Sequence, residues 1–192
     1  MKTERILWVE DHINIIPEWD DVFVVTNAEE TLPFIRRMDW VIFRAVVLDI
    51  DLPDRGIQLK CELEALKQEA FRRKMPEAYA TVPEIQEWWE DVKEGWCDHT
   101  PYGILLANKI PKNQRFVFYT HDFNHAATGI LMLGALGLLP AEEVVDVITR
   151  HAAAARSVLI VSQSGRLIIG SKDEPANWQK VRELAIEFCN SE

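Results

Sequence analysis

Short apolar runs that stop abruptly at carboxylates constrain this chain more than any other feature of it. Residues 6–9 (ILWV) end in Glu10-Asp11, and residues 41–48 (VIFRAVVL) end at Asp49. Runs without polar alternation suit strands buried on both faces of a parallel sheet. Residues 22–26 (VFVVT) repeat the pattern and lead into a helix-start signal, Asn27 with Glu30 three residues later. The stretch that follows (EETLPFIRRM) has helical spacing, with Pro33 tolerable near a first turn. Residues 115–119 (RFVFY) read as a fourth strand stopping at Thr120. Strands alternating with helices predict an α/β fold, a doubly wound parallel sheet of about five strands between helical layers.

The third and fourth strands are too far apart in sequence for a simple crossover. Residues 58–74 and 82–96 each show a helical pattern, and the second carries Trp88, Trp89 and Trp96. Segment 57–99 is therefore expected to be a helical hairpin inserted into a single domain, 1–192. Its tryptophans either cover a satellite core or form an exposed binding patch. Residues 102–110 (YGILLANKI) then resume as the crossover helix. Beyond Thr120, residues 126–137 and 141–155 are helical in pattern, 158–161 and 167–169 are strand-like across a turn (SQSGR), and 177–188 close the chain as a helix.

Charge narrows the function. With 21 Lys and Arg against 31 Asp and Glu, the net charge is −10, which argues against a nucleic-acid surface and suits cation binding through carboxylates. Three cysteines without paired metal spacing read as reduced thiols. The start of the chain turns acidic too soon for a signal peptide, and its longest apolar run suits a buried helix, so a cytoplasmic protein without a membrane span is expected.

Glu10, Asp11 and Asp49 all fall at carboxyl ends of predicted strands, where ligands of open parallel sheets gather. Three carboxylates converging there repel one another unless a hard cation sits among them, and Mg²⁺ suits an all-oxygen set. A carboxylate so held can attack a phosphoryl group while the metal neutralises the transferring oxygens. Thr120 is placed to hydrogen-bond a phosphoryl oxygen, and a lysine from the last strand completes the charge balance. Read singly, such acidic residues serve as helix caps or solvated loops; it is their order after these strands that points to chemistry. His12 is read as a loop residue. Cys97, His99, His121, Asp122 and His125 match no standard zinc spacing and are read as loop residues near the active face.

These segments resemble the receiver domain of two-component response regulators, a flavodoxin-like fold. RILWVEDH resembles the receiver first strand with its Glu-Asp pair, AVVLDIDLPDRG the phosphoacceptor strand, TPYGILLANKI the start of the third receiver helix, and RFVFYTHD the fourth strand with its threonine. The resemblance covers residues 4–56 and 100–125. It implies that Glu10 and Asp11 hold Mg²⁺, that Asp49 is phosphorylated, that the Asp51 backbone carbonyl adds a metal ligand, and that Thr120 is the switch hydroxyl. The sequence departs from the family in the 57–99 segment and in the Lys-Pro missing after Leu139. Lys172, after 167–169 and before Pro175, is the second candidate for the lysine. Neither registration supplies the usual switching aromatic.

The resemblance makes the chain a phosphoacceptor module of a phosphorelay. A histidine kinase or phosphotransfer protein would be its donor, and an unidentified output protein would be reached through protein contacts; homodimerisation is compatible. One alternative is a degenerate receiver that binds or dimerises without phosphorylation. Another is a phosphatase resembling the haloacid dehalogenase family, with Asp49 as nucleophile and Asp51 as acid/base. That family's strand comes first in the chain, and Leu52-Pro53 departs from its motif.

Overall fold

The computed structural model describes residues 5–12, 18–36, 43–53, 56–94, 100–111, 114–121, 123–151, 157–161, 167–169, 172 and 174–190. The apolar runs do form adjacent strands: β1 (Arg5–Val9), β2 (Val22–Val25), β3 (Phe43–Leu48) and β4 (Arg115–His121). They pair in the order β2-β1-β3-β4, all parallel. With helices on both faces this is the doubly wound α/β architecture expected, in flavodoxin-like order.

The sheet does not continue as a fifth parallel strand beside β4. Two further strands, β5 (Ser157–Val161) and β6 (Leu167–Ile169), extend it, each antiparallel to the strand before. The connection between β5 and β6, residues 162–166, is far too short for a crossover and so forces β6 to reverse on β5. Because β5 runs against β4 and β6 against β5, β6 again points the same way as β4. Its carboxyl end therefore faces the edge where β1 and β3 finish.

The two faces of the sheet are covered unequally. Leu7, Val9, Val46, Leu48, Phe116 and Phe118 point to one face, against α1 (Ala28–Arg36), α2 (Ile57–Arg72), α3 (Pro83–Lys93), α4 (Tyr102–Lys109), α5 (Phe123–Ala135) and α6 (Ala141–His151). Ile6, Trp8, Ala45, Val47, Val117 and Tyr119 alternate to the other, against α7 (Pro175–Asn190) through Trp178, Val181, Leu184 and Ala185. This is the period-two alternation of a strand buried on both sides.

Segment 57–94 shares the main core. Leu59, Leu63, Leu66, Phe71, Tyr79, Ile85 and Trp89 belong to the same cluster as the sheet residues. Tyr79, in a 3₁₀ helix (Glu77–Thr81), donates its hydroxyl to the Leu131 carbonyl of α5 at 2.9 Å. Trp89 is buried against Phe71 and Tyr79, while Trp88 is partly buried and Trp96 lies outside the described residues. Trp89 therefore belongs to the main core, where the sequence offered a satellite core or an exposed patch.

Helix α4 meets the sheet at its carboxyl edge. The Gly103 amide donates to the Ile50 carbonyl at 3.0 Å, and a Cβ at Gly103 would lie 1.9 Å from the Asp49 carbonyl oxygen and 2.8 Å from Ile50 Cα. Alanine in a helix ordinarily gains about 1 kcal/mol over glycine. Here both obstructing atoms are backbone, so overpacking reverses the sign. Gly103→Ala is expected to destabilise the fold by about 1–3 kcal/mol in urea unfolding; an unchanged or raised midpoint would contradict the packing of α4 on the Asp49 loop.

Candidate functional site

The strand order reverses between β1 and β3, which makes their carboxyl ends the switch point of the sheet. Glu10 and Asp49 are the residues immediately beyond these two strands. Parallel pairing continues past both, with the Glu10 amide donating to Val25 O and the Asp49 amide to Val9 O, each at 2.9 Å. Extended backbone at this point sends both side chains toward the α7 face, following Trp8 and Val47. Both are buried.

Lys172 reaches between them. Its Nζ donates to Glu10 Oε2 at 2.6 Å and to Asp49 Oδ2 at 2.7 Å, with its side chain only 2% exposed. The return of the chain through β6 brings this lysine to the edge. The start of α7 then anchors it: Trp178 Nε1 donates to the Lys172 carbonyl at 2.7 Å. The ammonium also lies 5.4 Å from the Tyr119 ring centre and 5.9 Å from that of Trp178, within cation–π range. Trp8 stacks on Trp178 at 5.5 Å and lies 5.7 Å from Trp19. The cluster thus sits on an aromatic floor that keeps water out and strengthens every charge interaction above it.

Two carboxylates and one ammonium leave the buried cluster one charge short of neutral. Burial raises the Glu10 carboxyl from 4.5 to about 7, helped by the neighbouring charge of Asp49; Lys172 and the His12 amide pull it partly back down. Burial opposes the Lys172 ammonium, yet Asp49 and Glu10 together outweigh it and the lysine pKa is raised. The lysine therefore stays charged, and Glu10 is the group that titrates near neutrality.

The remaining predicted residues hold different positions. Asp11 is partly exposed, and its Oδ1 lies 2.9 Å from Nδ1 of the largely exposed His12. The Asp51 side chain accepts a hydrogen bond from Thr100 Oγ1 at 3.3 Å, and Thr100 also donates to Leu52 O at 3.3 Å. These bonds pin the loop after Asp49 to the residues leading into α4. Thr120 lies within β4 rather than after it, two residues beyond Phe118, the partner of Leu48. It is buried, and its hydroxyl has no hydrogen-bond partner among the described residues; the same holds for Asp49 Oδ1. The geometry thus brings Glu10, Asp49 and Lys172 into contact and leaves Thr120 at the same edge without a bond to Asp49. Cys97, His99 and Asp122 lie outside the described residues, as do the side chains of His121 and His125.

The alternation of β1 and β4 in the sequence carries a signal for this aromatic floor. Trp8 shares a face with Glu10 two residues on, and Tyr119 has the matching phase in β4. His12, a loop residue by sequence, lies with its Nδ1 2.9 Å from Asp11 Oδ1.

For the cation site, the described residues whose ligand atoms lie within 4.8 Å of one another are Glu10, Asp11 and His12; Asp49, its Oδ1 buried and unbonded among the described residues, is not in that group. The Glu10 and Asp11 oxygens are of the kind Mg²⁺ takes. Compared with protein-family models, curated proteins and solved structures, the chain matches none.

The shifted carboxyl makes a pH prediction. Folding favours the protonated form of Glu10, so its contribution to stability is full below pH 4.5 and is lost as pH rises through about 7. That contribution amounts to roughly 3 kcal/mol. The raised Lys172 stays protonated throughout this window and adds no slope. Denaturant unfolding between pH 4.5 and 7.5 is expected to show a decline that Glu10→Gln flattens. An identical slope in the variant would place the titration elsewhere.

Proposed function

We propose that this chain is a receiver-like phosphoacceptor module that takes a phosphoryl group on Asp49. The observation that carries the reading is the Lys172 ammonium held between Glu10 and Asp49 at the switch point of a parallel sheet. In this reading an Asp49 carboxylate oxygen attacks the phosphorus of a phosphohistidine or a small acyl phosphate. The donor's P–N or P–O bond breaks, and an acyl phosphate forms on Asp49. Lys172 neutralises the charge brought into the buried site and holds the carboxylate in place. The Thr120 hydroxyl, unbonded among the described residues, is available to donate to a phosphoryl oxygen. Glu10 and Asp11, with Asp49 and the Asp51 carbonyl, would hold Mg²⁺, which would supply charge neutralisation for the transfer. A histidine kinase or phosphotransfer protein is the donor, and output passes to a partner protein through surface contacts.

A second reading, a module of the same shape that binds without phosphoryl chemistry, is favoured by one observation. The Lys172 ammonium already takes Glu10 Oε2 at 2.6 Å and Asp49 Oδ2 at 2.7 Å, neutralising charge that a cation would otherwise meet.

Intact-protein mass after incubation with acetyl phosphate and Mg²⁺ separates the two readings. One phosphoryl adduct is expected, absent from Asp49→Asn and from a metal-free control. No adduct, together with no phosphate release, would favour the binding module. Thr120→Val tests the hydroxyl separately. Removing a buried hydroxyl without a partner is expected to change stability by less than about 1 kcal/mol, or to raise it, while slowing adduct formation. Equal rates in Thr120→Val and the wild type would remove Thr120 from the chemistry.

A further inference from the structure

Receiver chemistry accounts for Glu10, Asp11, Asp49, Thr120 and Lys172 but gives no role to the residue that follows the acidic pair. His12 places its imidazole within the same cluster. Nδ1 is 2.9 Å from Asp11 Oδ1 and 3.6 Å from Glu10 Oε1, and the ligand atoms of Glu10, Asp11 and His12 all lie within 4.8 Å of one another. That spacing lets one ion touch all three. The His12 amide already donates to Glu10 Oε1 at 3.2 Å, which fixes the loop so that ring and carboxylates stay on one side. The ring is 61% exposed, so it can turn its lone pair inward without breaking into the core.

A buried, unbonded oxygen points separately to a ligand here. Asp49 is 3% exposed, and its Oδ1 has no hydrogen-bond partner among the described residues. Its other oxygen shares the Lys172 ammonium with Glu10, so this carboxylate lies beside Glu10. Carboxylate oxygens left this way cost free energy unless a cation or water takes them up.

We propose that His12 is a ligand of the cation held at Glu10 and Asp11, and that it makes the site select Mn²⁺ or a similar first-row divalent ion over Mg²⁺. Mg²⁺ takes oxygen ligands and gives up its waters reluctantly, whereas first-row divalent ions accept an imidazole nitrogen more readily. The inference rests on the cation site of the proposed function and does not require phosphoryl transfer.

The test is calorimetric titration of the full chain with Mn²⁺ and with Mg²⁺, paired with pulsed electron paramagnetic resonance of the Mn²⁺ complex. Wild type is expected to bind Mn²⁺ more tightly and to show ¹⁴N modulation from a coordinated imidazole. In His12→Ala that modulation should vanish and Mn²⁺ should weaken by roughly tenfold or more, with Mg²⁺ affinity unchanged. Retained Mg²⁺ binding also shows that the variant is folded. Modulation that persists in His12→Ala, or equal weakening of both ions, would overturn the role of His12 and leave the carboxylate cation site and the phosphoacceptor reading standing. Failure of the wild type to bind either ion would overturn this inference and the cation site together; the acetyl phosphate experiment would then judge phosphorylation by itself.

Discussion

The Lys172 ammonium, shared by two buried carboxylates, is the interaction on which the organisation of this molecule turns. It joins residues 162 and 123 positions apart in the chain, closing the terminal segment onto the first and third strands. Buried ion pairs of this kind seldom add net stability, because desolvation offsets most of the Coulomb gain. Removing one partner is costly, however, since the others are left charged in a dry environment. The arrangement therefore specifies geometry more than it stabilises. An acidic pair that would repel is held closed, with one surplus negative charge and with Asp49 Oδ1 unbonded among the described residues.

The two faces of the sheet are covered unequally. Among the described residues one face carries α1 to α6 and most of the apolar core, including segment 57–94. The other is closed by α7, whose Trp178 both caps the Lys172 carbonyl and stacks on Trp8. Tyr119 and Trp178 stand edge to face at 5.1 Å beneath the ammonium. At the rim of this floor Arg182 pairs with Asp21 at 2.8 Å and lies over the Trp19 ring. Aromatic rings suit the position because they exclude water while presenting negative faces to the cation. The helix that carries the terminal core is thus also the helix that seats the lysine.

Local chemistry made much of this readable. An apolar run can stop at a carboxylate only where a buried strand emerges, so Glu10, Asp11 and Asp49 could be placed at strand ends from their neighbours alone. Asn27 and Glu30 marked the start of α1, where Asn27 Oδ1 does accept from the Glu30 amide at 2.9 Å. The direction of the last two strands was not readable in this way. Apolar residues in 158–161 and 167–169 show that strands form, but pairing direction depends on the sheet edge they meet. The burial of Tyr79 and Trp89 was equally hidden, because a polar helical pattern does not say which core its apolar stripe joins.

Taken by itself, the sequence determined the elements: buried parallel strands with carboxylates at their ends, in a chain of net charge −10. These follow from side-chain properties and short-range spacing, which act within a few residues. Only the tertiary structure decided that Lys172 is the lysine that reaches Asp49 and that Trp8, Tyr119 and Trp178 lie beneath it. The position of His12 follows from the local turn of residues 10–12. The meeting of Lys172 with Asp49 depends on where distant segments cross, which is set by packing of the whole core and by the reversal of β6 on β5.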